Sequence, residues 1–452
     1  MLDFLVTRAF IIHTTTQYLA LMVSSYTRSN LICALQHAAV LGMILLDHVY
    51  RLERFTVRTE SWEIYTIIVD QLKLCHFRAI KSWDVEYGTF ADLCLLDDYP
   101  LMYKHDIQAR ESILTRNSGG CTAINELAEL GQRHFPSLRR LRLNGTPHGW
   151  FFSTFNLVEL VVQNMPMQFY RANDRLLQAI LSNSRHTLQV LELTGCLHAT
   201  VDHSTQKLSL PAVHTLTVGF SYIEEMSTLL RIAEFPALTD LSLLHLEGCL
   251  NEQYVHQCEM VEIFRELTDK LPLHQLTSLY INAISFPRED LLSVTTWGAV
   301  RNGTITQAQY PVVMRFISEL TALQTLRLVQ PDPLFLQSMN YSPPSSMLFL
   351  PSLKKLRFET SVPKDCMPIV NYWGGRIAVL KFLSGGTFTG PGLERLELVF
   401  PDTQESAKLT RWTNNPQPYA ISVDVEFQPQ YVPYLVDEDD EDDEDDEAME
   451  ED

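Results

Sequence analysis

Apolar residues recur along this chain in one short phrase. It is cleanest at Leu188-Gln-Val-Leu191-Glu-Leu193-Thr-Gly-Cys196, where Leu188, Leu191 and Leu193 spell L-x-x-L-x-L. The same spacing returns at Leu138-Leu141-Leu143, Leu157-Leu160-Val162, Val213-Leu216-Val218 and Leu238-Leu241-Leu243. It continues at Leu276-Leu279-Ile281, Leu323-Leu326-Leu328, Leu353-Leu356-Phe358 and Leu393-Leu396-Leu398. The last two apolar positions of each phrase lie two residues apart, the period of a strand with one buried face. Between phrases the period changes to that of a helix. Leu176, Leu177, Ile180 and Leu181 share one face, and Ile223, Met226, Leu229 and Leu230 another. Ser221 and Glu224 have capping-box spacing at the start of the second. Val255, Cys258, Val261 and Leu267 predict a longer helix; Val313, Phe316, Ile317 and Leu320 predict one more, with Pro311 near its first turn.

One match to so loose a pattern means little, but nine in one chain do not arise by chance. Strand and helix alternating under a repeated L-x-x-L-x-L, with Cys196 at the repeat's Asn/Cys position, predict an α/β fold. The class is an irregular leucine-rich-repeat solenoid, with parallel strands on a concave face and helices on a convex one. First-leucine spacings from Leu138 onward are 19, 31, 25, 25, 38, 47, 30 and 40 residues, too uneven for a short uniform repeat. The phrase is often preceded by an apolar residue and a proline, at Phe135-Pro136, Leu210-Pro211, Phe235-Pro236 and Leu350-Pro351. Proline cannot continue the preceding helix, and at a strand entrance its missing N–H costs little.

Toward the N-terminus the pattern blurs. Tyr18-Leu-Ala-Leu-Met-Val23 reads as a strand, residues 30–46 as a buried helix, and Leu52-Glu-Arg-Phe55-Thr-Val57 as a degenerate first repeat. Phe90-Ala-Asp-Leu93-Cys-Leu95 fits the spacing, Leu74-Cys-His-Phe77 half fits, and residues 122–134 look helical. The expected organisation is a cap over 1–50, the solenoid over 51–400, a cap or linker over 401–436, and a disordered acidic tail over 437–452. After Phe400 the repeat is expected to stop, since 401–436 show no clear apolar period.

The net charge of −20 sits mostly in that tail, whose residues 437–452 hold 14 acids and no base. Such a run buries too little apolar surface to offset its ordering entropy. The remainder carries 41 acidic against 35 basic residues, so no general basic footprint for nucleic acid exists. Eight cysteines are scattered singly without a C-x-x-C, as expected for reduced thiols in the cytoplasm or nucleus. The apolar N-terminus opens with Asp3 rather than a basic region, and residues 31–46 are short for a membrane span, so neither signal peptide nor membrane is expected. The sequons at Asn144, Asn302 and Asn340 are then coincidences.

The chemistry of an enzyme is not found. His245, Cys249, His256 and Cys258 lie close together, but their spacing is too uneven for a zinc site. The glycine-rich stretches at 117–120 and 384–390 lack the Lys-Ser/Thr of a phosphate cradle, and no G-x-S-x-G occurs. Cys196 reads as a buried, inert thiol. A non-catalytic chain without cofactor or metal is expected.

A partner would meet the sheet. If the leucines face the core, the residues between and beside them face out. Arg140, Arg142, Glu159, Glu192, Asp240, Tyr280, Arg327, Lys355, Arg357 and Arg395 are the chief candidates for binding a protein. The set is acidic in the middle and basic toward the C-terminal end, which offers the acidic tail a place to fold back.

The phrases His-Phe-Pro-Ser-Leu-Arg-Arg-Leu-Arg-Leu (134–143), Asn-Leu-Val-Glu-Leu-Val-Val (156–162), Asp-Arg-Leu-Leu-Gln-Ala-Ile (174–180), His-Thr-Leu-Gln-Val-Leu-Glu-Leu (186–193) and Leu-Pro-Ala-Val-His-Thr-Leu (210–216) recur in the order found in one family. Over roughly residues 18–400 the chain resembles fungal F-box proteins with irregular leucine-rich repeats. The resemblance implies repeats that hold the substrate of a cullin-type ubiquitin ligase while an F-box docks the ligase adaptor. The F-box's Leu-Pro opening and Ile/Leu-rich helix are not found in residues 1–50, and 18–57 look like the segment C-terminal to an F-box. An adaptor is therefore expected as a partner only with an F-box upstream. Repeats with an acidic tail behind them are also similar to acidic nuclear proteins that bind histones, whose repeats are shorter and keep the Asn.

Overall fold

The computed structural model describes residues 11–15, 18–25, 49–59, 76–87, 135–145, 156–164, 170–197, 207–221, 223–246, 257–284, 312–331, 350–360, 393–401 and 422–428. Its strands are β1 (Ile11–Thr15), β2 (Tyr18–Ser25), β3 (Leu52–Thr59), β4 (Ser82–Tyr87), β5 (Arg140–Asn144), β6 (Glu159–Gln163), β7 (Val190–Thr194), β8 (Leu208–Ser209), β9 (Thr215–Phe220), β10 (Ala233–Glu234), β11 (Asp240–His245), β12 (Ser278–Asn282), β13 (Thr325–Val329), β14 (Lys355–Glu359), β15 (Arg395–Pro401) and β16 (Ser422–Gln428). The helices are α1 (Tyr170–Asn183), α2 (Ile223–Ile232), α3 (Gln257–Lys270) and α4 (Val312–Glu319).

Fourteen strands form one sheet in chain order, with only the short β8 and β10 left out to pair with each other. β1 and β2 are antiparallel; every later pairing is parallel. Parallel neighbours require a crossover between them. α1 lies between β6 and β7, α2 and α3 on either side of β11, and α4 before β13. This is an α/β arrangement around a large parallel sheet, compatible with a solenoid-like winding.

The phrase acts through its register. The two strand leucines pair with their counterparts on each neighbour: Leu191 with Leu216, Leu216 with Leu241, Leu241 with Leu279, Leu279 with Leu326, Leu326 with Leu356 and Leu356 with Leu396. All are at most 1% exposed and belong to one continuous core from Leu52 to Phe400. Burying one such side chain contributes about 1.5–3 kcal/mol, so register is strongly specified: a slip of one residue would turn every leucine to solvent.

Where a proline precedes the phrase, a β-turn closes on its first apolar residue. Leu138 N–H donates to Phe135 O at 3.2 Å, Val213 to Leu210 at 3.3 Å, Leu238 to Phe235 at 3.3 Å and Leu353 to Leu350 at 3.1 Å. The four prolines therefore occupy the second turn position, where a fixed φ is favourable. This is a more specific reason for them than the missing N–H alone. Just before each strand one carbonyl accepts two successive amides of the next coil. Val158 O takes Gln189 (2.9 Å) and Val190 (3.1 Å); Gln189 O takes His214 (3.0 Å) and Thr215 (3.2 Å). The same fork recurs at Arg139, His214, Thr239, Thr277, Gln324 and Lys354.

Strand exits repeat as well. Gly145, Asn164, Gly195, Ala283 and Gln330 each come directly after a strand, with φ between 43° and 67°. Each donates its N–H to the last strand residue of the next coil, or to Gly219 in the case of Gly195, at 2.7–2.9 Å. Glycine and asparagine adopt this left-handed conformation readily; Ala283 and Gln330 do so at a cost of about 1–2 kcal/mol.

Several expectations change. The sheet does not end at Phe400: β16 adds a strand with Val423, Val425 and Phe427 in register with Leu396, Leu398 and Phe400. Its Val-x-Val-x-Phe alternation lacks a leucine. β4 is a strand whose phrase, Ile80-x-x-Trp83-x-Val85, has no leucine at all. Trp83 instead packs its ring against Phe55 (4.2 Å), Phe77 (5.5 Å) and Phe135 (5.7 Å). The capping carboxylate of α2 is Glu225, which accepts the Ser221 amide at 3.2 Å, rather than Glu224. The expected strand at 18–23 and the repeat at 52–57 are β2 and β3. The four expected helices with apolar faces at 176–181, 223–230, 255–267 and 313–320 correspond to α1–α4. The expected helices at 30–46 and 122–134, the phrase at 90–95 and the acidic tail lie outside the described residues.

Candidate functional site

Parallel register turns the alternate positions of the sheet into three continuous rows on its outward side. The first runs Arg140, Glu159, Val190, Thr215, Asp240, Ser278, Thr325, Lys355, Arg395; the second runs Arg142, Val161, Glu192, Thr217, Ser242, Tyr280, Arg327, Arg357, Glu397. All ten residues singled out in the sequence fall in these two rows. None of the ten is fully buried, whereas the leucines between them are. The third row runs Asn144, Gln163, Thr194, Gly219, Leu244, Asn282, Val329, Glu359, Val399; among the outward positions Val161, Gly219 and Val399 are buried.

The charges are not independent. At the N-terminal side the Arg142 Nε donates to Glu159 Oε1 at 2.6 Å. At the other end Glu359 receives Arg327 at 3.4 Å and Arg357 at 3.6 Å, and Glu397 receives Arg357 at 3.1 Å and Arg395 at 2.8 Å. Two glutamates thus hold three arginines, of which Arg327 and Arg357 stand in register as like charges. Arg327 also lies over the Tyr280 ring, 4.6 Å from its centre. β16 adds Asp424 beside Glu397 and Glu426 beside Val399 in register. The C-terminal end therefore carries much less net positive charge than its cations alone suggest.

Between these ends the acids have neutral partners. The Gln163 amide donates to Glu192 at 2.5 Å and the Thr239 hydroxyl to Asp240 Oδ2 at 2.7 Å. In the third row Gly219 is buried beneath the Thr194 side chain. A Cβ on Gly219 would come within 2.5 Å of Thr194 Cγ2.

Sequence reading missed the outward residues of β4, Asp84 and Glu86, since it did not recognise that strand; the signal available was Trp83 and Val85 at leucine positions. It placed Cys196 correctly, 4% exposed beside the strand exit. His245 is an inward residue of β11, 4% exposed, its ring 5.6 Å from Phe220. Cys249 and His256 lie outside the described residues, and among the described ones no three His, Cys, Asp or Glu are placed to hold a metal ion. No described helix is long and apolar enough to cross a membrane. A cavity of about 610 Å³ lies off the main sheet, between the end of α1 and the β8·β10 pair. Its cations are engaged, Lys207 with Glu234 at 2.7 Å and the Arg185 Nε with His186 at 2.8 Å.

No family model matches the chain, and none of the curated proteins compared with it matches either.

Proposed function

We propose that this chain is a non-catalytic, protein-binding scaffold of leucine-rich repeats whose outward sheet face holds the partner. On this reading it resembles the substrate-recognition part of an F-box ubiquitin-ligase receptor, and an adaptor would join only through an F-box upstream. The observation that carries the reading is the register: strand after strand aligns the same outward positions into rows of polar, arginine and tyrosine side chains over a single core. Such a surface is broad, and its backbone is fixed by the leucines beneath it. Tyrosine and arginine are the side chains that most often dominate interfaces.

The test is to compare proteins retained from native extract by the wild-type chain, by Thr217→Arg/Ser242→Arg on the outward face, and by Glu319→Arg on α4. Loss of the retained set with the outward variant alone is expected. A set that survives the outward variant and is lost with the α4 variant would place the interface elsewhere.

A second reading, an acidic-tailed histone-binding protein, is favoured by the 14 acids of residues 437–452. It predicts histone binding that disappears when those acids are replaced by amides, across a salt series.

A further inference from the structure

The outward face has one stretch whose charge is not cancelled from within. Over β7, β9, β11 and β12 the outward positions include two carboxylates, Glu192 and Asp240, and no lysine, arginine or histidine. Among the described residues their hydrogen-bond donors are the Gln163 amide and the Thr239 hydroxyl. Neutral donors orient a carboxylate without neutralising it. On either side, Arg142 is held by Glu159, while Arg327, Arg357 and Arg395 are held by Glu359 and Glu397. The middle of the face is therefore its negative part, while Arg140 and Lys355 stand exposed on the flanks without an ion pair among the described residues.

Resting on the reading of this face as a protein-binding surface, we infer that its middle captures an extended segment rich in lysine or arginine. Spacing and hydrogen-bonding groups support this occupant. Thr215 and Thr217 stand on the strand between the two acids, half-buried, and their hydroxyls can bond to a main chain laid across them. Glu192 is in register with Thr217, Thr217 with Ser242, and Asp240 stands two residues before Ser242 on the same face. With strands about 4.8 Å apart and a rise of about 3.3 Å per residue, the backbones of Glu192 and Asp240 are roughly 12 Å apart. An extended ligand spans that distance in three to four residues, at about 3.1 Å each in polyproline II and 3.3 Å in a strand. Cations three apart on a polyproline helix, or four apart on a strand, share one face. The ligand is therefore a segment with such spacing, not merely a basic one. The acidic tail attracts the same class of partner from a distance, without the spacing requirement.

The experiment uses full-length protein and fluorescent twelve-residue peptides, with anisotropy read at low and physiological salt. One peptide carries arginines at every third position among Ser and Pro, a second has the same composition with the arginines contiguous, and a third has Glu for Arg. The chains are wild type, E192Q/D240N, Glu319→Gln on α4 as control, and a chain with the acids of 437–452 replaced by amides. Wild type is expected to prefer the spaced peptide and to ignore the acidic one. E192Q/D240N is expected to weaken the spaced peptide at least tenfold with an unchanged melting temperature, whether or not the tail is charged. Glu319→Gln should have no effect, and tail neutralisation should act mainly at low salt. Equal affinity for wild type and E192Q/D240N, or binding that vanishes on tail neutralisation alone, overturns the inference. If basic peptides fail while Thr217→Arg/Ser242→Arg still releases native partners, the basic segment is wrong and the binding face stands. If neither has any effect, both fall.

Discussion

Tyr280 and Arg327 face each other in register on neighbouring strands, with the guanidinium carbon 4.6 Å from the ring centre. The same arginine reaches Glu359 at 3.4 Å, and from there the chain of contacts runs through Arg357 and Glu397 to Arg395. A cation held over a ring at a partly exposed site is worth about 0.5–1 kcal/mol. A double-mutant cycle with Tyr280→Leu and Arg327→Gln, read by urea unfolding, should return a coupling of about that size. Additive effects of the two changes would mean the pair does not form in solution.

The glutamates in this network hide positive charge, and that has a binding consequence. Replacing both Glu359 and Glu397 by Gln removes two counter-charges from three arginines. The stability change should be small, about 1 kcal/mol or less per exposed pair. Retention on a heparin column should rise clearly, with elution at higher salt than wild type. Unchanged elution would show that the arginines were already available to polyanions.

Inward and outward neighbours on one strand should behave as opposites. Leu241 is 1% exposed, and Ser242 beside it faces out. Leu241→Ala should destabilise by about 2–5 kcal/mol, the cost of a cavity in a packed core. Ser242→Ala should stay within about 0.5 kcal/mol. Similar urea midpoints for the two variants would contradict the register.

Gly219 makes a prediction that local propensity does not. Its backbone is not left-handed, so a methyl group is forbidden only by Thr194, whose Cγ2, Cβ and Oγ1 would all lie within 3.1 Å of it. Rotating Thr194 exchanges one close atom for another. Gly219→Ala should cost about 1–3 kcal/mol through overpacking, and adding Thr194→Ala should recover part of the loss. A neutral Gly219→Ala would show that β7 and β9 lie too far apart for this contact.

Much of this was legible in the sequence because leucine marks both the buried position and the register. The phrase located β5–β7, β9 and β11–β15, and the prolines marked the turns that precede several of them. β4 escaped because its core positions are filled by Trp83 and Val85, which satisfy burial without satisfying a leucine pattern, and β16 because valine and phenylalanine stand in register with Leu396, Leu398 and Phe400 where the phrase has leucine. The outward candidates were found by alternation alone. Their pairing was not, because Arg327 and Glu359, or Arg357 and Glu397, are separated in sequence by a whole coil and meet only across strands. A basic C-terminal end was the natural expectation from composition. Ion pairs to Glu359 and Glu397 cancel much of it, leaving Lys355 as the exposed cation there, while Glu192 and Asp240 have only neutral donors among the described residues.

The most direct measurement places a photo-reactive amino acid at Thr217, between those two carboxylates, and in a second chain at Glu319 on α4. Each is irradiated with the spaced arginine peptide and the product is read by intact mass. Cross-linking from position 217, abolished by excess unlabelled peptide and absent from position 319, is the predicted result. Cross-linking from position 319 alone would mean that the partner binds the helical side and that the outward face is only a solvated sheet.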